Sequence, residues 1–147
     1  MNTIKKILTL IAVLIIPIIL MSCSDKIIQP DHLPDNARSF IQQYFPGINI
    51  SYVKLDSELM KKTFDVRLEN GTELEFNGKG EWDSIDCKHS AVPAELVNDA
   101  IAEYIQSNFS TQYITKIDKE AYGYEIELSN DLELKFDKAG RLMAVDD

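Results

Sequence analysis

The sequence predicts an α+β fold: two tandem α-β-β-β-β repeats, with antiparallel sheets and helices packed on one face. Three observations lead there. Residues 64–86 align without a gap on residues 124–146, and Leu68, Asn70, Glu73, Leu74, Phe76, Gly80 and Asp86 recur sixty positions on as Leu128, Asn130, Glu133, Leu134, Phe136, Gly140 and Asp146. Within each copy apolar and polar residues alternate with period two, as a half-buried antiparallel sheet requires. Upstream of each lies a stretch with the i, i+3, i+4, i+7 apolar spacing of one helical face.

The N-terminus sets the address. Lys5 and Lys6 precede a nearly unbroken apolar run over residues 7–21. A basic n-region followed by ~7–15 apolar residues is a secretory signal. The run is short of the ~20 residues that a spanning helix needs, and Pro17 interrupts it. Leu20-Met21-Ser22-Cys23 resembles the bacterial lipobox. That resemblance implies that residues 1–22 are a lipoprotein signal peptide and that Cys23 carries a diacylglyceryl thioether. Each buried CH₂ contributes ~0.8 kcal/mol, and stable attachment takes more than one acyl chain. The three chains usual on bacterial lipoproteins would therefore hold the protein in the cell envelope, on the outer membrane facing the periplasm rather than on the cell surface. Residues 23–32 read as a tether, residues 33–90 as the first repeat and residues 91–147 as the second.

Each unit opens with a helix. Pro34 and Pro93 stand at the starts, where a missing N–H costs nothing. Ala37, Phe40, Ile41 and Tyr44 share one face of the first helix, and Pro46-Gly47 ends it. Leu96, Ala100, Ile101, Tyr104 and Ile105 form the second, about a turn longer. Residues 50–55 and 114–119 are the first strands, with a polar loop around residues 57–62. Asn70-Gly71 signals a hairpin of type I′, which needs positive φ at both central residues; Asn130-Asp131 is its counterpart. Gly80 and Gly140 each close a second turn at a position suited to a left-handed residue. Last strands follow over residues 82–85 and 142–145.

Composition limits the partners. The chain has a formal charge of −9, and removing the signal takes two lysines and no acid. Such a surface argues against nucleic acid and anionic lipid and favours a basic protein partner or cations. With Cys23 lipidated, Cys87 is unpaired, so the exported domain must hold together through its core.

Four segments carry a family likeness: Tyr44-Phe45-Pro46-Gly47, Phe64-Asp65-Val66-Arg67-Leu68, Gly71-Thr72-Glu73-Leu74-Glu75-Phe76 and Gly80-Glu81-Trp82. Together they resemble the PepSY-like domain family of exported or lipidated Bacteroidetes proteins, described as similar to the β-lactamase inhibitor protein. The likeness runs from about residue 33 to the C-terminus. It implies tandem repeats of a helix and four strands, no enzymatic activity, and a binding or inhibitory role. The second copy departs from the pattern, lacking Phe-Pro-Gly and carrying Leu142 where Trp82 stands.

Catalytic chemistry is thinly represented, and no catalytic residue, cofactor or metal is assigned. Cys87 and His89 lie two apart without a third group to orient the pair. With His32 they would form a zinc site one ligand short. Paired acids on a flat sheet give no cleft for glycoside chemistry, and residues 77–81 lack the acid series of an EF-hand. Trp82 reads as core, and Asp83-Ser84-Ile85 resembles a Bacteroidetes O-glycosylation site. What remains is a polar face bearing Asp65, Arg67, Glu73, Glu75, Glu125, Glu127, Glu133 and Lys135. Its bland reading is the polar half of an alternating sheet, where charge also discourages edge pairing. Its functional reading is a surface that binds an envelope protein; calcium or small-ligand binding is the alternative. Glu73, repeated as Glu133, has no evident folding duty and is the first residue to examine.

Overall fold

The computed structural model describes residues 26–58 and 61–146. The predicted signal peptide and the lipid-bearing Cys23 lie outside the described residues. Nine strands run in chain order through one sheet: β1 Lys26–Ile28, β2 Ile50–Glu58, β3 Lys61–Leu68, β4 Glu73–Asn77, β5 Trp82–Asp86, β6 Ile114–Lys119, β7 Gly123–Leu128, β8 Glu133–Asp137 and β9 Leu142–Asp146. Two ten-residue helices, α1 Asp35–Tyr44 and α2 Asp99–Asn108, are the only α-helices among the described residues.

This corrects the expected α+β fold of two tandem units. The fold is mainly β, and every neighbouring pair in its single nine-stranded sheet is antiparallel. The reason lies at β5 and β6, where Ser84, Ile85 and Asp86 stand opposite Asp118, Ile117 and Lys116. The connecting segment is stitched to the same place, Cys87 N–H donating to the Thr115 carbonyl and Val92 N–H to that of Ile114. Ile85 and Ile117 are fully buried there, so one core runs across the seam.

Other expectations shift locally. The segment read as tether contributes β1, and β2 and β3 extend into the stretch read as a loop. The second helix is no longer than the first. A separate 3-10 turn, Ala94–Leu96, follows Pro93, and Asn98 then caps α2 by accepting from the Ala100 N–H. That side-chain bond satisfies an otherwise orphaned donor at the helix start. The Asn70-Gly71 hairpin is not of type I′, because only Gly71 has positive φ; the Gly71 N–H closes on the Leu68 carbonyl at 3.0 Å. The result is a three-residue loop with glycine in the left-handed position, and Asp131 takes that position in the second hairpin.

The helices bury one face each on the sheet: Ala37 and Ile41 from α1, Ile101 and Ile105 from α2. Phe40 meets Phe76 edge-on at 5.5 Å, and Tyr104 meets Phe136 in the same way at 5.5 Å. Such pairs contribute ~0.5–1.5 kcal/mol beyond their area. Gly80 lets the β4–β5 turn reach the start of α1, since a Cβ there would lie 2.8 Å from the Ala37 nitrogen. Trp82 packs half-buried against Phe40, as a core position predicts. It also carries the Lys119 ammonium 3.5 Å above its ring.

Candidate binding face

Strand register turns the alternating pattern into two rows of side chains on the face away from the helices. One row runs through Lys54, Asp65, Glu75, Ser84, Asp118, Glu125 and Lys135, each opposite the next. The other runs through Tyr52, Arg67, Glu73, Asp86, Lys116, Glu127, Glu133 and Asp146. All eight residues of the predicted face fall in these rows: Asp65, Glu75, Glu125 and Lys135 in the first, Arg67, Glu73, Glu127 and Glu133 in the second.

Sequence reasoning missed Tyr52, Lys54, Ser84, Asp86, Lys116, Asp118 and Asp146. Each joins its row through the pairing of its own strand with its neighbour, and only Lys116 and Asp118 meet the first half of the chain across the β5–β6 pairing. The alternation Ile114, Lys116, Ile117, Asp118 is the signal that could have found two of them, although a register shift between Ile114 and Lys116 breaks its period.

A hollow of about 450 Å³ occupies the first part of this face, lined by Tyr52, Lys54, Asp65, Arg67, Glu73, Glu75, Ser84, Asp86 and Lys116. Most charges around it are paired. Arg67 binds Glu73 directly across the strands, Lys88 reaches Glu73 and Asp86 at 2.7 and 2.6 Å, and Lys116 reaches Asp118 at 2.7 Å. Ser84, the predicted glycosylation site, donates its hydroxyl to Asp118 within the sheet. Glu75 differs. Its carboxylate makes no hydrogen bond or ion pair among the described residues, and burial pushes its pKa up, helped by the charges of Asp65, Asp83 and Asp118 against Lys61.

Beyond β6 the acids outnumber the bases. Glu127, Glu133 and Asp146 are consecutive across three strands, and like charges directly opposite destabilise a sheet. Lys135 answers them, 2.7 Å from Asp146, 3.4 Å from Glu133 and 3.9 Å from Glu125. Its pKa is held up, first by the hydrogen bond to Asp146.

Among the described residues no three His, Cys, Asp or Glu side chains are grouped to hold a metal ion. The Cys87 thiol is buried, and burial pushes its pKa up to about 11. A neutral, inaccessible thiol is a poor nucleophile. On the helix side an apolar hollow of about 600 Å³ lies between the end of α1 and the start of β2, lined by Ile41, Phe45, Ile48 and Ile50.

Comparison with known proteins agrees with this architecture. A family model described as "putative beta-lactamase-inhibitor-like, PepSY-like" matches residues 62–144. A "putative periplasmic protein of unknown function" from Bacteroides vulgatus is 36% identical, with TM-score 0.81, covering 84% of this chain and 100% of its own. A "putative periplasmic protein from DUF2874 family" of the same organism is 37% identical, with TM-score 0.81, covering 86% of this chain and 99% of its own. A "putative calcium-regulated periplasmic protein" from Bacteroides thetaiotaomicron is 36% identical, with TM-score 0.80, covering 84% and 97%. No curated protein matches the chain. The match of the family model to over half of the chain, joined by relatives alike in sequence and fold along their full length, places it: the chain belongs to the PepSY-like, β-lactamase-inhibitor-like family.

Proposed function

We propose that this chain is a non-catalytic binding module of the cell envelope that engages a protein partner through the open face of its sheet. One observation carries the reading: two rows of polar, mostly charged side chains cross the sheet, one over seven strands and one over eight, beside a hollow of about 450 Å³. Tyr52 stands exposed in that hollow, and tyrosine is among the side chains that most often anchor protein interfaces. The excess of acid across β7, β8 and β9 suits a basic partner, since complementary charge speeds and orients association. Blocking a partner's own site would make the module an inhibitor.

The test is photocrosslinking in intact cells, with the crosslinker at Tyr52 or Glu133 on the sheet face and at Gln43 on the exposed side of α1. Adducts confined to the sheet-face positions, and abolished by Glu75→Lys with Glu133→Lys in a chain that stays folded, are expected. Equal adducts from Gln43, or none from any position, would sink the proposal.

Attachment through Cys23 belongs to the same proposal and is supported by the n-region, the apolar run and the Ser22-Cys23 pair. Cys23→Ala should move the protein from the membrane to the soluble fraction; unchanged membrane association would remove the anchor.

A calcium-linked role is the second reading, favoured by the description of the Bacteroides thetaiotaomicron relative as calcium-regulated. Melting curves that coincide in calcium and in EDTA would dismiss it.

A further inference from the structure

The two ends of the sheet are finished differently. β9 pairs with β8 in the register in which β5 pairs with β4: Leu134 opposite Val145 repeats Leu74 opposite Ile85. β5 is then covered by β6, and Ile85 is 0% exposed. No strand follows β9 among the described residues, so Val145 is 47% exposed and Met143 58%. At the other end the nine-residue β2 is covered only at Val53, Lys54 and Leu55, by three-residue β1. There Ile28 stands opposite Val53, as Ile85 stands opposite Ile117. Val53 and Ile117 hold matching places, facing Val66 and Ile126 on the next strand. β1 is a short stand-in for a strand of the β5 kind.

We propose that the β9 edge and the β2 edge are complementary halves of the β5–β6 junction, that a second copy of this chain is the occupant of the β9 edge, and that β1 is the plug that holds the copies apart. With β1 lifted, Ala144, Val145 and Asp146 of one copy stand opposite Lys54, Val53 and Tyr52 of the next. That register copies Ser84, Ile85 and Asp86 against Asp118, Ile117 and Lys116. Val145 then gains the cover that Ile85 has, and Asp146 comes beside Tyr52 and its cross-strand neighbour Arg67. The chain's own seam shows that these two kinds of edge fit, which favours a second copy over an unrelated strand. An unpaired edge is a template for pairing, and a head-to-tail contact leaves a further edge free on each added copy. Three residues of pairing let β1 open locally without global unfolding.

Two substitutions release β1 by different means: Ile28→Asp removes the apolar side chain opposite Val53, and Ile27→Pro breaks the strand at an exposed residue. Light scattering should give wild type the mass of one chain at all concentrations. Both variants should rise with concentration to two copies and beyond, and Val145→Lys added to either should restore one chain. In the Ile27→Pro background, an Ala144→Cys chain mixed with a Lys54→Cys chain should form a disulfide-linked pair, whereas Ala144→Cys with Ser57→Cys should not. Variants that keep the wild-type circular dichroism and stay monomeric overturn the proposal, as does assembly that survives Val145→Lys or a wild type that already assembles through β9. If Ile28→Asp loses the fold, Ile27→Pro decides alone.

Discussion

The Lys88 ammonium lies 2.7 Å from the Glu73 carboxylate, reaching back from the segment after β5 to the start of β4. Glu73 also pairs with Arg67 directly across the sheet. This acid, which sequence reasoning left without a folding duty, therefore ties β3, β4 and the connection to the second half together. Glu133, sixty residues on, faces Glu127 instead of an arginine.

Lys88 holds φ of 58°, a left-handed conformation costing a non-glycine residue about 1–2 kcal/mol. Lys88→Ala keeps that cost and loses ion pairs that are partly exposed, so it should destabilise by roughly 0.5 kcal/mol. Lys88→Gly loses the same pairs but relieves the backbone, and should be about 1 kcal/mol more stable than the alanine variant. Hydrogen bonds to Asp86 and then Glu73 raise the Lys88 pKa. Its stabilising contribution is therefore complete below the unfolded pKa and lost as pH rises through the folded one. Urea unfolding at pH 7 and above pH ~10.5 checks both statements.

Glu75 has the same sign of pH dependence but in the acid range, where losing the proton creates the charge. Its pKa is raised on folding, chiefly by burial, so the unfolded chain gives up the proton first as pH rises past the ordinary glutamate value of 4.5. Stability is lost through that window and the ionised group is a net burden at neutral pH. Glu75→Gln should be more stable than wild type by about 0.5 kcal/mol at pH 7, with the difference closing below pH ~4. A lower melting temperature for Glu75→Gln at pH 7 would contradict the assignment.

The Cys87 thiol should not react with Ellman's reagent in the native protein at pH 8 and should react fully in denaturant. Its pKa, raised to about 11 by burial, means that alkaline pH above the unfolded thiol's value removes stability until the folded value is passed. Rapid native labelling would show that the seam opens readily.

Gly123 has the closest backbone approach among the glycines: a Cβ there would fall 2.2 Å from the Phe136 carbonyl oxygen, at φ of 156°. Gly123→Ala must push β7 from β8 and should cost about 3 kcal/mol or more. Gly71→Ala, with open space around it, meets only the penalty of its left-handed φ, about 1 kcal/mol. Paired denaturant midpoints measure the contrast.

Local structure was legible where one side chain or one turn decides it. The α1 face from Ala37 to Tyr44, the left-handed Gly80 and Gly140, and the alternation in β3 and β7 each follow from nearby residues. The eight predicted residues of the open face were legible for the same reason. What the sequence hid was pairing at a distance. Ile85 shows no preference for Ile117 that Val145 would not show as well, so one sheet and two sheets read alike. Lys116 and Asp118 meet Asp86 and Ser84 only across that seam, and β1 was hidden because three residues carry too little pattern to mark a strand.

The chain's single tryptophan sits at that seam, with the Lys119 ammonium over its ring and the same ammonium donating to the Trp82 carbonyl at 3.0 Å. Burial lowers the Lys119 pKa, so this cation begins to discharge earlier than an ordinary lysine as pH rises. The indole is thus a built-in optical gauge of the junction between the two halves: its emission reports on the joint at which they become one sheet, without any label being added.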